Sequence, residues 1–449
     1  MSEIRIIDLF AGLGGIRKGF ERACEDTEID VVCKLTSEIK PYAIKCLKEN
    51  FNHSKFVGDI TKVKSEEIED FDFLFAGFPC QPFSNAGTRQ GFSDPTKGTL
   101  FWHIERILKD KSPYGFILEN VEGMVKHDIG ESTDEIGRTL KTILKSLNDL
   151  GYKVSWKVLD SSYFGVPQIR KRIYIVGTKD KIISLDNFPT SVTKLGQFLD
   201  KGLPPLESKF VKSLMKKFDI KELYGKKIKD KRGGSENIHS WDLEIKGKVS
   251  KVQTELLNTL LKERRKKHWA EKIGIDWMDG MPLTLEQIKT FFPKPNLEEI
   301  LNDLVIKKYL RFEHPKKKIT TKHEDGSTTS KREYDTTKPK GFNIVTGKLS
   351  FELNEIANPE STIRTLVASD VSRIAVPDGN YIRKLSPREG LRLCGYPDTY
   401  VIPEIKESEI YDLVGNTVVV NVIEEISKRC IEAYTNYVEV MKEKKLNVV

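Results

Sequence analysis

The stretch Ile4-Arg5-Ile6-Ile7-Asp8-Leu9-Phe10-Ala11-Gly12-Leu13-Gly14-Gly15 decides the fold. An apolar run breaks into a glycine-rich turn, and helical spacing follows over Gly15–Cys24. Strand, tight turn and helix in that order open an α/β sheet whose ligand site lies at the carboxyl end of the first strand. Working outward, Val31–Ser37 reads as a second strand and Pro41–Asn50 as the helix after it. Asp72–Ala76 (DFLFA), Gly115–Leu118 (GFIL) and Tyr174–Gly177 (YIVG) are short buried-strand patterns, and Gly137–Leu150 has helical spacing. Strands alternating with helices imply an α/β domain of Rossmann-like type, with a mostly parallel sheet covered on both faces.

The chain has 449 residues and 38% hydrophobic content, enough for two or three domains. A formal charge of +8 suits a polyanionic partner without proving one. Cysteines stand at 24, 33, 46, 80, 394 and 430. They form no CxxC pair, so zinc-finger spacing is absent and no metal is expected. No run approaches the ~20 apolar residues of a membrane span, and the N-terminus lacks a signal peptide's apolar core. The expectation is a soluble cytoplasmic protein with reduced thiols.

After about Pro189 the strand–helix alternation fades and lysine becomes dense. Thr284–Phe292 and Asn296–Leu310 read as helices, and a lysine-rich stretch with a turn at Asp325-Gly326 runs to about Lys340. Two short helices and a basic hairpin over 284–340 suggest a winged helix-turn-helix; a solvated α+β insertion is the alternative. A final amphipathic helix covers Val418–Tyr434. The expected organisation is a first domain over 1–185, a smaller α+β insert over 186–400, and a segment over 401–449 that completes the first domain.

The chemistry clusters at strand ends. Gly12 and Gly14 allow a ligand close to the backbone, and Glu38, ending the second strand, can accept hydrogen bonds from ribose hydroxyls. A tight structural turn explains the glycines alone equally well. GxGxxG and GxxxxGK[ST] are both absent, which disfavours a dinucleotide and a nucleoside triphosphate. Gly77-Phe78-Pro79-Cys80-Gln81-Pro82-Phe83-Ser84 follows the strand DFLFA, and its prolines restrict the backbone around Cys80. Cys80 is either a nucleophile or a buried structural thiol. Glu119-Asn120-Val121 follows the next strand, and Gln168-Ile169-Arg170-Lys171-Arg172 leads into another. Alternation puts 168, 170 and 172 on one face. A thiol, a carboxyl and two guanidiniums on one sheet edge make a reaction centre.

These blocks resemble the C5-cytosine DNA methyltransferases of bacterial restriction-modification systems. The match runs through nine blocks in the family's order: DLFAGLGG, Glu38, GDI at 58–60, GFPCQPFS, GTLF at 98–101, ENV, QIRKR, RKLSPREGLRLCGYPDTY and GNTVV. The resemblance implies S-adenosylmethionine as cofactor. Phe10 would pack on its adenine, Gly12 and Gly14 would admit its methionine part, and Glu38 would bind its ribose. Asp59 and Ile60 would lie near the adenine, with Asp59 on its amino group. Leu100, Asn416 and Val418 would complete the pocket. The family often stacks an aromatic residue after the ribose-binding acid; Ile39 stands there instead.

The same resemblance implies catalysis by Cys80, Glu119, Arg170 and Arg172. The Cys80 thiolate would add to cytosine C6 and make C5 enamine-like. Glu119 would hold the N3 and N4 edge, Arg172 the O2 side, and Arg170 would support Glu119. The cytosine must be flipped out of its duplex, at a cost of a few kcal/mol. Gln81–Lys97 resembles the mobile loop that closes over it, with Ser84 on the DNA backbone and Gln81 and Arg89 as further contacts. The insert would read the target sequence, with 1–185 as the catalytic and cofactor-binding domain and DNA between the two. Lys231, Arg232, Asn237 and His239 in the segment 231–241, and the segment Arg364–Arg373, are candidate contacts. Lys316–Lys318 would grip phosphates if the winged-helix reading holds. The expected assembly is a monomer on double-stranded DNA, with any cognate endonuclease not in stable complex. A transfer-RNA cytosine methyltransferase is the competing enzyme, disfavoured by the long insert. A catalytically silent DNA-binding regulator is disfavoured because Cys80, Glu119 and both arginines are present. A dehydrogenase-like enzyme leaves PCQ, ENV and QIRKR without a role.

Overall fold

The computed structural model describes residues 3–25, 27–52, 55–79, 100–129, 134–230, 237–275, 280–322, 328–345 and 352–446. The chain divides into two compact units. One comprises Met1–Gly202, Asn358–Ser372 and Leu385–Val449; the other comprises Leu203–Ala357 and Arg373–Lys384.

The first unit opens with β1 (Glu3–Leu9), α1 (Gly15–Cys24), β2 (Asp30–Ser37), α2 (Pro41–Asn50), β3 (Phe56–Val57) and β4 (Phe73–Gly77). It continues with α3 (Leu100–Lys111), β5 (Gly115–Val121), α4 (Arg138–Asp149), β6 (Lys153–Asp160), β7 (Gln168–Ile169) and β8 (Lys171–Thr178). Seven strands form one sheet in the order β3-β2-β1-β4-β5-β8-β6. β8 alone runs against its neighbours β5 and β6, and the remaining strands are parallel. The apolar runs are continuous because both faces are buried. Phe73 and Phe75 join Ile4, Ile6 and Phe20 on one face; Leu74 and Ala76 join Ile7, Leu9, Phe101, Ile104 and Leu140 on the other.

The second unit holds α5 (Lys209–Lys217), β9 (Lys227–Ile228), β10 (Asn237–Ile238), α6 (Lys251–Glu263), α7 (Lys267–Ile273), α8 (Leu285–Lys289) and α9 (Leu297–Ile306). After them come β11 (Leu310–Glu313), β12 (Lys316–Lys322), β13 (Thr328–Tyr334), β14 (Gly341–Ile344) and β15 (Glu355–Ile356). β16 (Ile363–Arg364) returns to the first unit, β17 (Ile374–Asp378) and β18 (Tyr381–Lys384) belong to the second, and α10 (Pro387–Arg392), α11 (Glu407–Asn416) and α12 (Val420–Leu446) end the first. The second unit has two cores. Leu256, Leu260, Trp269, Leu301, Leu304 and Phe342 pack the helices against β11 and β14. Val211, Leu214, Ile228, Ile356 and Ile382 line a small sheet of order β10-β9-β15-β17-β18.

Three expectations are corrected. The insert is shorter than 186–400 and interrupted. Residues 186–202, 358–372 and 385–400 group with the first unit, because backbone bonds tie them there. Leu195 donates to the Ser361 carbonyl at 3.0 Å, Ile363 donates to Pro167 at 2.7 Å, and β16 pairs in parallel with β7. The helix expected over Asn296–Leu310 ends at Ile306, since Lys308 takes a left-handed φ of 62° and Leu310 opens a strand. The final helix runs to Leu446 rather than Tyr434. Among the described residues no helix is long and apolar enough to cross a membrane.

α12 closes the sheet by packing along α1, and Gly19 marks the contact. A Cβ there would meet the Ile423 Cβ at 2.6 Å and the Val420 carbonyl oxygen at 2.8 Å. Alanine gains ~1 kcal/mol in helix propensity, but overpacking costs typically ~1–3 kcal/mol and a backbone oxygen cannot step aside. Gly19→Ala is therefore expected to lower the thermal midpoint; an unchanged or higher midpoint would contradict this packing.

Candidate active site

β1 ends in the loop that sequence pattern marks. Phe10, Gly12 and Gly14 take φ of 56°, 57° and 71°, the left-handed region that only glycine enters without strain. The reversal turns the chain into α1. A Cβ on Gly14 would lie 2.5 Å from the Phe51 ring, whereas a Cβ on Gly12 would meet nothing within 4 Å. Gly14 is thus required by packing, and Gly12 leaves an open face.

Glu38 directly follows β2 and is buried. One of its oxygens accepts from the Gly12 amide at 2.8 Å, and the other accepts from the Ile39 and Lys40 amides, each at 2.8 Å. A carboxylate has about four acceptor positions, so roughly one is left for a ligand hydroxyl. Ile39 is 69% exposed beside it. Asp59 accepts from the Thr61 amide at 3.0 Å and the Thr61 hydroxyl at 2.8 Å through Oδ1. These bonds hold its pKa below the usual value and keep it an acceptor. Ile60 is buried in the core with Phe78 and Phe101, and Phe10 packs against the same cluster. Leu100 is half-buried at the start of α3.

Asn416 ends α11, its amide nitrogen donating to Asp412 Oδ1 at 3.0 Å. The other Asp412 oxygen accepts from Lys40 Nζ at 2.6 Å and Tyr42 Oη at 2.7 Å. One carboxylate thus ties the Glu38 turn to Asn416, although 372 residues separate Lys40 from Asp412. Val418 packs on Gly15, where a Cβ would lie 2.7 Å from its Cγ2. Lys40, Tyr42 and Asp412 were missed from sequence: only the four-residue spacing of Asp412 and Asn416 on a helix hints at their pairing.

The second group lies on β5 and β8. Glu119 is paired in register with Gly77 on β4 and Tyr174 on β8. Arg172 Nε lies 3.1 Å from Glu119 Oε1. Burial raises the Glu119 pKa, and the two guanidiniums oppose that rise. The next residue, Asn120, donates to the Phe78 carbonyl at 3.2 Å and so pins the start of the PCQ segment to β5. Cys80, Gln81, Ser84 and Arg89 lie outside the described residues, as do Lys231 and Arg232.

Gln168, Arg170 and Arg172 do share a facing, but they serve different partners. Arg170 donates through Nη1 to the Leu366 carbonyl at 3.0 Å and through Nη2 to the Gly415 carbonyl at 3.2 Å. Burial pulls its pKa down to about 10. No hydrogen bond joins it to Glu119 among the described residues, so any support for Glu119 is electrostatic. Gln168 donates to the Leu393 carbonyl at 2.8 Å and accepts from the Leu366 amide at 3.1 Å. QIRKR therefore both supplies the partner of Glu119, through Arg172, and clasps three distant segments.

Two expected DNA contacts are corrected. Asn237 and His239 are buried. The His239 ring stacks on Trp241 with centroids 4.4 Å apart, and its Nδ1 lies 2.8 Å from the Lys229 carbonyl. The His239 ring is thus spent within the fold, and burial keeps both side chains from a base. In the segment 364–373, Arg364 is held by both oxygens of Asp370, at 3.2 and 3.0 Å.

Asp8 was also missed, although an acid inside an apolar strand is itself a signal. It is sealed behind the glycine loop with Oδ2 unpartnered. Arg17 on α1 attracts it, yet Arg17 Nε donates to Glu21 at 2.7 Å. Burial outweighs that attraction and pushes Asp8 up to about 7.

The chain matches the family model of C-5 cytosine-specific DNA methylases over residues 4–432. It belongs to that family. The type II methyltransferase M.NlaIV of Neisseria lactamica is 53% identical over 429 residues, covering 96% of this chain and 99% of that relative. M.BanI of Aneurinibacillus aneurinilyticus, also a type II methyltransferase, is 40% identical over 452 residues, covering 94% and 95%. Among solved structures, the Entamoeba histolytica methyltransferase EhMeth superposes with a TM-score of 0.53 at 14% identity, covering 97% of this chain and 99% of that one. S. pombe Dnmt2 gives 0.52 at 15% identity, covering 96% and 99%. At such identities the two structures establish the fold alone.

Two outcomes are expected of this site. Asp8 keeps its proton in the folded chain up to about 7, while its ordinary value is 3.8. The folded form then binds more protons between those values, and stability falls as pH rises through them. The stability of wild type relative to Asp8→Asn should decline from pH ~4 to ~7 and level off above; a flat difference in urea midpoints would contradict it. Arg170→Met leaves the Leu366 and Gly415 carbonyls unpaired, at ~1–3 kcal/mol each, and should lower the urea midpoint accordingly.

Proposed function

We propose that this enzyme methylates C5 of a cytosine within a short specific sequence of double-stranded DNA, with S-adenosylmethionine as methyl donor. The observation that carries this reading is the Glu119–Arg172 pair on the same sheet edge as the glycine loop and the start of the PCQ segment, in a chain of the cytosine-5 methylase family.

The cofactor fits the residues present. The open face at Gly12 suits close approach of the methionine part, and the remaining acceptor position of Glu38 suits a ribose hydroxyl. Asp59, kept ionised, suits the adenine amino group, which needs an acceptor. Phe10, Ile60 and Leu100 supply apolar walls, and Asn416 and Val418 close the pocket. When bound, the cofactor supplies an electrophilic methyl group to C5.

The chain's own residues prepare the ring. Cys80, three residues beyond Gly77, adds as thiolate to C6 of a flipped-out cytosine and makes C5 nucleophilic. Negative charge develops toward N3 as that bond forms. Glu119, biased toward its protonated form by burial, donates to N3 and accepts from N4. Arg172 orients Glu119 and holds O2. Loss of the C5 proton then expels the Cys80 thiolate and restores the aromatic ring. Arg170 contributes by positioning, through the Leu366 and Gly415 carbonyls. In this reading the enzyme acts as a cytoplasmic monomer, and any cognate endonuclease acts separately from it.

Bisulfite sequencing of a methylation-free host expressing the protein is the test. One short motif should be protected with wild type and unprotected with Cys80→Ser. Glu119→Gln should lower kcat by ~10²–10³, the cost of losing one preorganised donor to developing charge. No protected motif from soluble wild-type protein would overturn the assignment.

A further inference from the structure

Helix α9 and the β12–β13 hairpin of the second unit carry opposite charge. α9, LEEILNDLVI, has three acids and no base, and Glu298, Glu299 and Asn302 are exposed on it. The strands β12 (KKKITTK) and β13 (TTSKREY) carry six bases and one acid. Their register then sorts those bases by face. Directly opposed residues on an antiparallel pair share a face, and alternate residues change it. Lys316 opposes Tyr334 and Lys318 opposes Arg332, which puts all four on one face. Lys317 opposes Glu333 and Ile319 opposes Lys331 on the other.

Only the second face is neutralised from within. Lys331 pairs with Glu333 at 3.2 Å, and Lys317 reaches Asp335 at 4.0 Å. On the first face Lys316, Lys318 and Arg332 have no ion pair among the described residues. Lys316 Nζ sits over the Tyr334 ring at 4.9 Å. The acid at the root, Glu313, is taken up by the Tyr334 hydroxyl at 2.9 Å and by Asn343 at 2.8 Å. Like charges directly opposed across strands are destabilising. The Lys318–Arg332 pair is therefore a standing cost that a polyanion along this face would remove.

We propose that the β12–β13 hairpin is the phosphate clamp of the DNA-recognition unit, lying on the duplex backbone with its Lys316–Lys318–Arg332 face while the acidic α9 stays off the DNA. The order α8, α9, β11, hairpin, β14, with β14 pairing back on β11, is that of a winged helix-turn-helix with the hairpin as its wing. The charge departs from that plan, because the helix that would enter the major groove carries Glu298 and Glu299. Sequence choice then falls to other parts of the unit, and the hairpin adds affinity without reading bases. The proposal rests on DNA being the substrate.

The test is duplex binding by the full chain, followed by fluorescence anisotropy across a potassium chloride series. Each lost phosphate contact reduces the slope of log K against log salt by ~0.9, so K316Q/K318Q/R332Q should reduce it by about 2–3. Target and non-target duplexes should weaken by the same factor, and the bisulfite motif should not change. K317Q/K331Q should leave the slope unchanged, and E298Q/E299Q should not weaken binding. An unaltered slope in the triple variant, an equal loss in K317Q/K331Q, or a changed motif would each overturn the clamp. So would duplex RNA bound more tightly than DNA with the same dependence on the triple variant. Wild type that protects no cytosine defeats the enzyme assignment instead, and the two failures are read on separate measurements.

Discussion

A guanidinium sealed from water must find acceptors, and the first unit is arranged so that both Nη atoms of Arg170 find them, its Nε alone being left without one. Its acceptors are the carbonyls of Leu366 and Gly415, 196 and 245 residues away in sequence. To reach them the chain leaves the second unit at Asn358, lays β16 beside β7, and brings the end of α11 to the sheet. Gly415 is glycine because a Cβ there would lie 2.0 Å from the Ala368 amide nitrogen. The residue after it is Asn416, which the proposed function places in the cofactor pocket. Two residues along from Arg170 is Arg172, on the Glu119 side. One buried cation thus holds both halves of the site in register.

Two buried carboxylates on one sheet edge are prepared for opposite tasks by their surroundings. Glu38 is surrounded by amide donors, three of them within 2.8 Å, which suits an acceptor. Glu119 has one guanidinium beside it and is otherwise desolvated, so burial raises its pKa. A carboxyl pushed toward its protonated form can donate to a ring nitrogen. Identical side chains are therefore suited, one to accepting and the other to donating, by what the neighbouring strands supply.

Local signals were legible in the sequence wherever one short stretch carried them. α1 and α2 begin where Gly14 reverses the chain and Pro41 sets the first helical φ, and both match the ranges read from spacing. The ENV and QIRKR blocks brought Glu119 and both arginines to one site, but the support of Glu119 was assigned to Arg170, whereas Arg172 makes the ion pair. Signals needing two distant stretches were not legible. β7 and β16 are two residues each, too short for a period-2 pattern, so the re-entry at 358–372 was assigned to the insert. Asp412 bonds Lys40 across 372 residues, and nothing in either neighbourhood announces it. Polar residues in the lysine-rich region invited a surface reading, but Asn237 and His239 are buried, and the His239 ring is set against the Lys229 carbonyl. Composition marks charge; it does not say which polar groups the fold itself consumes.

The central claim is a covalent bond between Cys80 and cytosine C6, formed beside Glu119 and Arg172. The direct measurement uses a duplex of the protected motif with 5-fluorocytosine at the target base. Fluorine cannot leave as the C5 proton does, so the adduct should persist after methyl transfer. The account predicts a cofactor-dependent protein–DNA species that survives denaturing electrophoresis with wild type and is absent with Cys80→Ser. Methylation of the ordinary duplex by an enzyme that never forms this species would contradict it.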